Sequence, residues 1–387
     1  MATLLRGLVI GAALALSACV RPSAPPPEPV RPEPVQPVRP APGPVRPGLP
    51  EEDVARHRVA LLVPTSGPNA GIGRSIANAT QLAILDTKAD NVRITTYDTA
   101  PGAAAAATRA LADGNTLILG PLLSEDVRAV APLARRAGVP VLSFSNDVGV
   151  AGNGTYVLGF TPAQSIERVV DYARRSGITE FAGLIPSGLY GERASTAFLR
   201  AVEGAGGKVT ALETYNRGAP AMNAAIARLT RSPFQAVLIA DSATGAVTAV
   251  PGIRRASATA RILGTELWNS DSAVGGMTAL NGSWFASVSD TLYRTYANKY
   301  RARFGAAPYR LSTLGYDAVL LTVRIARDWR PGDRFPADRL VDRDGFGGID
   351  GAFRFGRDGV AERALEVQEL RGGTTVTVSP APQGFGR

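Results

Sequence analysis

The chain has 387 residues, 45% hydrophobic and 19% charged, with 42 Lys and Arg against 33 Asp and Glu for a formal charge of +9. Its one cysteine, Cys19, excludes an internal disulfide framework, a CxxC redox pair and a cysteine-rich zinc site. Its one histidine, His57, excludes the common histidine metal sites and argues against histidine-dependent catalysis.

Residues 1–18 carry Arg6, an apolar run from Leu8 to Leu16 and then small residues. This is the order of an export signal, and it is too short to span a bilayer. The step Leu16-Ser17-Ala18-Cys19 resembles a bacterial lipobox, which implies a lipid on Cys19 as the anchor. Val20 stands where lipoproteins retained at the inner membrane carry Asp, so the same resemblance favours the outer membrane. Residues 21–50 hold 13 prolines. Such a stretch favours polyproline II and reaches at most ~90 Å. It reads as a spacer, with a proline-motif ligand for another protein as the alternative. The arginines are scattered, with no basic run interleaved with aromatics, so nucleic acid is not an expected partner.

From residue 57 short apolar runs alternate with helical stretches. Strands are expected at 59–63, 92–97, 116–119 and 139–144. Ile72, Ile76, Ala79 and Ala83 share one helical face, and helices follow at 102–112 and 124–136. A second series has helices at 163–175, 190–204 and 222–229 and strands at 180–185, 208–214, 235–240 and 261–264. This alternation predicts two α/β lobes, each a doubly wound parallel sheet. Tyr293, Tyr296, Tyr300 and Phe304 form a helical stripe read as core, and a second long helix covers roughly 312–328. The tail from 351 to 378 reads as antiparallel. His57 is expected at the surface.

Ligands of open parallel sheets sit beyond the carboxyl ends of the strands. The loops there offer Ser66, Ser124, Ser145 and Asp147 in the first series and Tyr190, Asp241 and Glu266 in the second. Hydroxyls and free amides at helix starts bind a carboxylate, and an opposing carboxylate holds an ammonium group. The same residue types also cap helices. No nucleophile, phosphate-loop or zinc-protease motif occurs, and neither a catalytic residue, a metal nor a cofactor is expected.

The ordered segments VALLVPTSGPNAGIGRSIANATQLAI, LILGPLLS, GVPVLSFSND and SGLYGERASTAFLRAVEGAGGKV resemble a type I periplasmic binding protein of the leucine/isoleucine/valine-binding kind. The resemblance implies two Rossmann-like lobes joined by three crossings around a ligand cleft. Lobe one would comprise 57–158 and 285–345, and lobe two 159–284 and 346–378, after a signal (1–18) and an anchor and linker (19–56) and before a tail (379–387). It implies Ser124 for a ligand carboxylate, Tyr190 as the lobe-two aromatic and Glu266 for a ligand ammonium. Asp147 stands where the family has a hydroxyl, which points to a ligand with more positive charge, or to none.

The anchor, the linker and the openings VALLVPTSGP and GPLLSEDV are also similar to penicillin-binding protein activator lipoproteins. That likeness implies a non-enzymatic envelope protein whose partner is a peptidoglycan synthase, and this is the favoured reading. The alternative is the solute-binding component of an ABC importer, with an amino-acid-like ligand and a permease as partners.

Overall fold

The computed structural model describes residues 56–387 apart from 217, 272, 383, 386 and 387. The signal, Cys19 and the proline-rich stretch lie outside the described residues. Among the described residues no helix is long and apolar enough to cross a membrane.

The first lobe runs β1 (His57–Val63), α1 (Ala70–Thr87), β2 (Val92–Asp98), α2 (Ala103–Ala112), β3 (Leu117–Leu119), α3 (Ser124–Ala137), β4 (Val141–Ser143) and β5 (Thr155–Val157). All five strands are parallel, in the order β2-β1-β3-β4-β5. Alternation along β1 feeds two cores at once: Val59, Leu61 and Val63 face one, Ala60 and Leu62 the other. Small side chains let α2 lie close to its sheet, with Ala106, Ala107 and Ala110 fully buried. Helix α3 carries Glu125 and Asp126 in its first turn and Arg135 and Arg136 in its last, signs that complement its dipole.

The second lobe runs α4 (Pro162–Arg175), β6 (Glu180–Pro186), α5 (Leu189–Gly204), β7 (Lys208–Tyr215), α6 (Ala219–Leu229), β8 (Ala236–Ile239), α7 (Ala243–Ala256), β9 (Arg261–Gly264) and β10 (Trp284–Ser287). Its parallel order, β7-β6-β8-β9-β10, repeats that of the first lobe. Along β8, Val237 and Ile239 face one core while Ala236, Leu238 and Ala240 face the other. The expected pair of doubly wound lobes is therefore what the chain forms.

The chain then returns to the first lobe. Helices α8 (Thr291–Phe304) and α9 (Thr313–Ile325) join its core through Tyr296, Tyr300, Leu314 and Val319. The tyrosine stripe is core, as its spacing predicts. Strands β11 (Phe346–Gly348), β12 (Gly351–Phe355) and β13 (Ala361–Arg363) form a small antiparallel sheet, and Phe346, Phe353 and Phe355 enter the same core. In the second sheet, β14 (Glu366–Arg371) pairs antiparallel with β10, and β15 (Thr374–Ser379) pairs antiparallel with β14. Residues 346–361 thus pack with the first lobe, whereas the expected division gave them to the second. Likewise β10, at the expected start of the first lobe's return, belongs to the second sheet.

The chain crosses between lobes near 158–161, 288–290 and 363–366. These crossings are tied to one another: Arg363 donates from Nη2 to the Leu158 carbonyl (2.7 Å), and its amide donates to Gln164 Oε1 (2.9 Å).

Two glycines show why each first βα unit closes tightly. A Cβ on Gly73 would lie 1.9 Å from the Pro64 carbonyl oxygen, and one on Gly191 would lie 1.7 Å from that of Pro186. Both let a helix start press against the strand that feeds it.

His57 corrects a sequence expectation. It is buried, not at the surface, and its ring stacks on Trp329 with centroids 3.8 Å apart. Burial pushes its basicity down, with only partial relief from a hydrogen bond involving the Trp329 backbone.

Candidate functional site

Both sheets reverse strand order at their second and third positions, between β1 and β3 and between β6 and β8. The rims beyond those strands face each other across the cleft, and the seven candidate residues occupy them.

On the first rim, Ser66 donates to Asp98 Oδ2 (2.6 Å), and the Thr65 and Ala100 amides donate to Asp98 Oδ1 (2.8 and 3.0 Å). Burial pushes the Asp98 carboxyl up, but these donors outweigh it and hold the group at about 2. Ser66 itself is exposed, so its hydroxyl serves mainly to orient this loop. Ser124 opens α3 and accepts from Arg128 Nη1 (3.2 Å). Beyond β4 the chain is held by successive side-chain caps. The Ser145 amide donates to Ser143 Oγ (3.0 Å), the Asp147 amide to Ser145 Oγ (3.1 Å), and the Gly149 amide to Asp147 Oδ1 (2.9 Å).

Asp147 is almost wholly buried and meets two guanidinium groups. Arg128 of the same lobe lies 2.5 Å from Oδ2, and Arg193, on α5 of the opposite lobe, lies 3.2 Å from Oδ1. The candidate at which this chain departs from its resemblance is therefore a bridge between the lobes. Arg128 and Arg193 are functional side chains that sequence reasoning missed. Arg193 lies three residues after Tyr190 on one helix, so it shares that residue's face.

On the second rim, Tyr190 and Glu266 come together directly. The Tyr190 hydroxyl lies 2.9 Å from Thr265 Oγ1 and donates to Glu266 Oε1 (3.0 Å), while Ser165 donates to Glu266 Oε2. Burial pushes the Glu266 carboxyl up, and the Ser165 and Tyr190 hydrogen bonds oppose the shift without cancelling it. Burial, together with the Glu266 charge, pushes the Tyr190 phenol well above its ordinary range. Both oxygens of Glu266 are thus already served by neutral donors. Asp241 is a cap and an anchor: it accepts from Tyr215 (2.5 Å) and the Ser242 amide (2.7 Å), and its carbonyl accepts from Trp268 Nε1 (3.1 Å).

The structure therefore gathers the seven into separate groups. Ser124 joins Asp147 through Arg128 and Ser145 joins it through the Asp147 amide, Tyr190 and Glu266 form another group, and Ser66 and Asp241 each serve a local turn. Arg193 joins Asp147 of the first group to the helix that carries Tyr190.

The open volume between the lobes lies beside these groups. A cavity of about 990 Å³ is walled by Asp290, Tyr293 and Arg294 of the first lobe and by Leu267, Asp271 and Thr374 of the second, and none of the seven candidates lines it. Arg310 reaches its edge, paired with Asp350 at 2.6 Å and lying over the Tyr293 ring. Tyr293 was legible only as part of the core stripe; a ring at the edge of such a stripe, one turn after the 288–290 crossing, is the signal that could have placed it at the cleft. Among the described residues no cluster of His, Cys, Asp and Glu could hold a metal ion.

Residues 57–374 match the family model described as periplasmic binding protein. A putative branched-chain amino acid ABC transporter from Rhodospirillum rubrum superposes with a TM-score of 0.74 at 22% identity, over 84% of this chain and 100% of that one. A solute-binding protein of an ABC transporter from Rhodopseudomonas palustris, solved with 3,4-dihydroxybenzoic acid, gives a TM-score of 0.68 at 19% identity, over 86% and 97%. An uncharacterised protein of Rickettsia prowazekii, RP748, is 25% identical over 139 residues, 35% of this chain and 37% of that protein's length. With two parallel sheets of like order, three crossings and a cleft between facing rims, the chain belongs to the periplasmic binding protein family.

Proposed function

We propose that this chain is the solute-binding component of an ABC importer, non-enzymatic, and that it takes an amino acid or related small polar solute between its lobes. The observation that carries the reading is the cavity of about 990 Å³ walled by both lobes, with Asp290, Arg294 and Arg310 from the first lobe and Asp271 and Glu366 from the second. Its structural neighbours, a branched-chain amino acid ABC transporter and a solute-binding protein solved with 3,4-dihydroxybenzoic acid, support a small organic ligand. A plain aliphatic amino acid suits the rims poorly, because Glu266 already receives two hydroxyls and Asp147 two arginines. A ligand at 100 times its dissociation constant adds about 2.7 kcal/mol to stability. The test is a thermal-unfolding panel of amino acids, polyamines and aromatic acids on the purified chain. A clear upward shift with one class is expected; a flat panel sinks importer function.

A second reading is favoured by one specific observation, the self-satisfied rims. Lobes held by their own Asp147–Arg193 pair have less need of a solute, and the lipobox at Cys19 with its proline-rich spacer suits a lipid-anchored protein reaching from the outer membrane. In that reading the partner is a penicillin-binding protein and the role is regulation of peptidoglycan synthesis. A change in glycan polymerisation or crosslinking when the purified chain is added to a host synthase is the expected result, and unchanged rates with every host synthase would exclude it.

A further inference from the structure

Where the three crossings meet, the lobes enclose a second cavity of about 20 Å³. Each crossing supplies part of its wall: Thr161 from the first, Val288 from the second and Arg363 from the third. Arg310 closes it from the first lobe and Glu266 from the second. Its volume suits an occupant of water or halide size and excludes an amino acid.

The wall is unequal in its hydrogen bonding. The acceptors are used: Glu266 receives Ser165 and Tyr190, and Gln164 Oε1 receives the Arg363 amide. The donors are not. Arg310 Nε, Arg363 Nε and Nη1, and Thr161 Oγ1 have no hydrogen-bond partner, although the three residues are only 7%, 8% and 4% exposed. A buried donor without a partner costs about 1–3 kcal/mol, and more when it is charged. Arg310 spends Nη1 on Asp350 and Thr313 and Nη2 on Asp290, and Arg363 spends Nη2 on the Leu158 carbonyl, so Nε of Arg310 and Nε and Nη1 of Arg363 are left for a shared acceptor. Burial, followed by the Asp350 charge, pushes the Asp317 carboxyl up to about 7, which weakens one counter-charge near Arg363.

We propose that this cavity binds a small monovalent anion, chloride or a formate-sized carboxylate, between Arg363, Arg310 and Thr161 at the junction of the three crossings. The occupant would tie the first and third crossings to each other at their junction. The proposal does not depend on which ligand, if any, enters the main cleft.

The test uses the whole chain in gluconate buffer, gluconate being too large for the cavity. Chloride, bromide and formate are titrated in at fixed ionic strength while thermal unfolding is followed, and crystals are grown in bromide. A saturable rise in Tm is expected, with an anomalous bromide peak in hydrogen-bond reach of Arg363 and Arg310. Thr161→Val keeps the side-chain shape and should weaken the apparent halide affinity about tenfold; Arg363→Met should abolish saturation. Displacement of bromide by millimolar formate identifies a carboxylate as the preferred occupant, and its retention identifies a halide. A Tm that follows salt without saturating, or a peak with water's scattering and no anomalous signal, overturns the proposal.

Discussion

The two rims of the cleft stand on the same scaffold and hold their carboxylates in opposite ways. Each lobe orders its first five strands alike, and each presses a glycine of its first βα unit against a proline carbonyl. Above that shared base, the first rim surrounds acids with donors and cations: Asp98 has a hydroxyl and amides, and Asp147 has two arginines. The second rim gives Glu266 only the hydroxyls of Ser165 and Tyr190. Neutral donors hold Asp98 low where solvent reaches it, whereas complete burial pushes Glu266 up in spite of its two hydroxyl donors. The backbone thus sets where a carboxylate stands, and burial weighed against its donors sets which way its ionisation shifts.

The largest effect tests the shared base. Gly73→Ala and Gly191→Ala each push a methyl group into a backbone carbonyl that cannot swing aside, so each should cost about 3 kcal/mol in urea unfolding. Similar losses from both would establish that the lobes depend equally on this contact. A loss below about 1 kcal/mol in either lobe would break the equivalence.

The next effect separates the rims. Removing both arginines, Arg128→Ala with Arg193→Ala, strands the buried Asp147. Because those guanidinium groups are half exposed, the cost should be about 1–2 kcal/mol rather than the larger penalty of a fully buried pair. Glu266→Gln removes no cation contact and should change stability at pH 7 by less than about 1 kcal/mol. Small-angle scattering adds a second readout: the arginine double variant should shift the lobes toward a more open average, and Glu266→Gln should not. Equal opening in both variants would deny that Asp147 is the bridge.

Much of this architecture is legible in the residues themselves. Strand β1 declares itself by an unbroken apolar run, and α1 by residues 72, 76, 79 and 83 on one face. Where local pattern and tertiary role diverge, legibility ends. Helix α7 carries Val, Thr and an internal Pro251, all poor helix signals, yet Ala246, Ala249, Val250 and Ile253 bury one face of it. Strand β10 is only four residues, and its antiparallel pairing with β14 joins Trp284 to Glu369, far away in sequence. The second- and third-crossing boundaries differ from expectation for the same reason: the phenylalanines at 346, 353 and 355 find their core in the first lobe, a choice no local spacing records. Residue types at the rims are readable, and Tyr190 and Glu266 do meet. Their charge states, and the arginines that claim Asp147, depend on neighbours brought in by the fold.

The smallest effects follow pH, and here the two rims should move in opposite directions. Asp98 is held at about 2 in the fold, against about 3.9 when unfolded. Its contribution is therefore present above the ordinary carboxylate range and is lost as pH falls toward 2. Solvent reaches the pair, so the size should stay below about 1 kcal/mol. Glu266 has the opposite sign: its folded value is raised, so its contribution is full below its unfolded value of about 4.3 and is lost as pH rises through the folded one. Urea midpoints measured from pH 3 to pH 8 separate the two. Asp98→Asn should shed part of the acid limb and leave the neutral limb alone, while Glu266→Gln should flatten the decline on the alkaline side. If both substitutions altered the same limb, the rims would not treat their carboxylates differently, and hydroxyl donors alone would be enough to keep a buried acid charged.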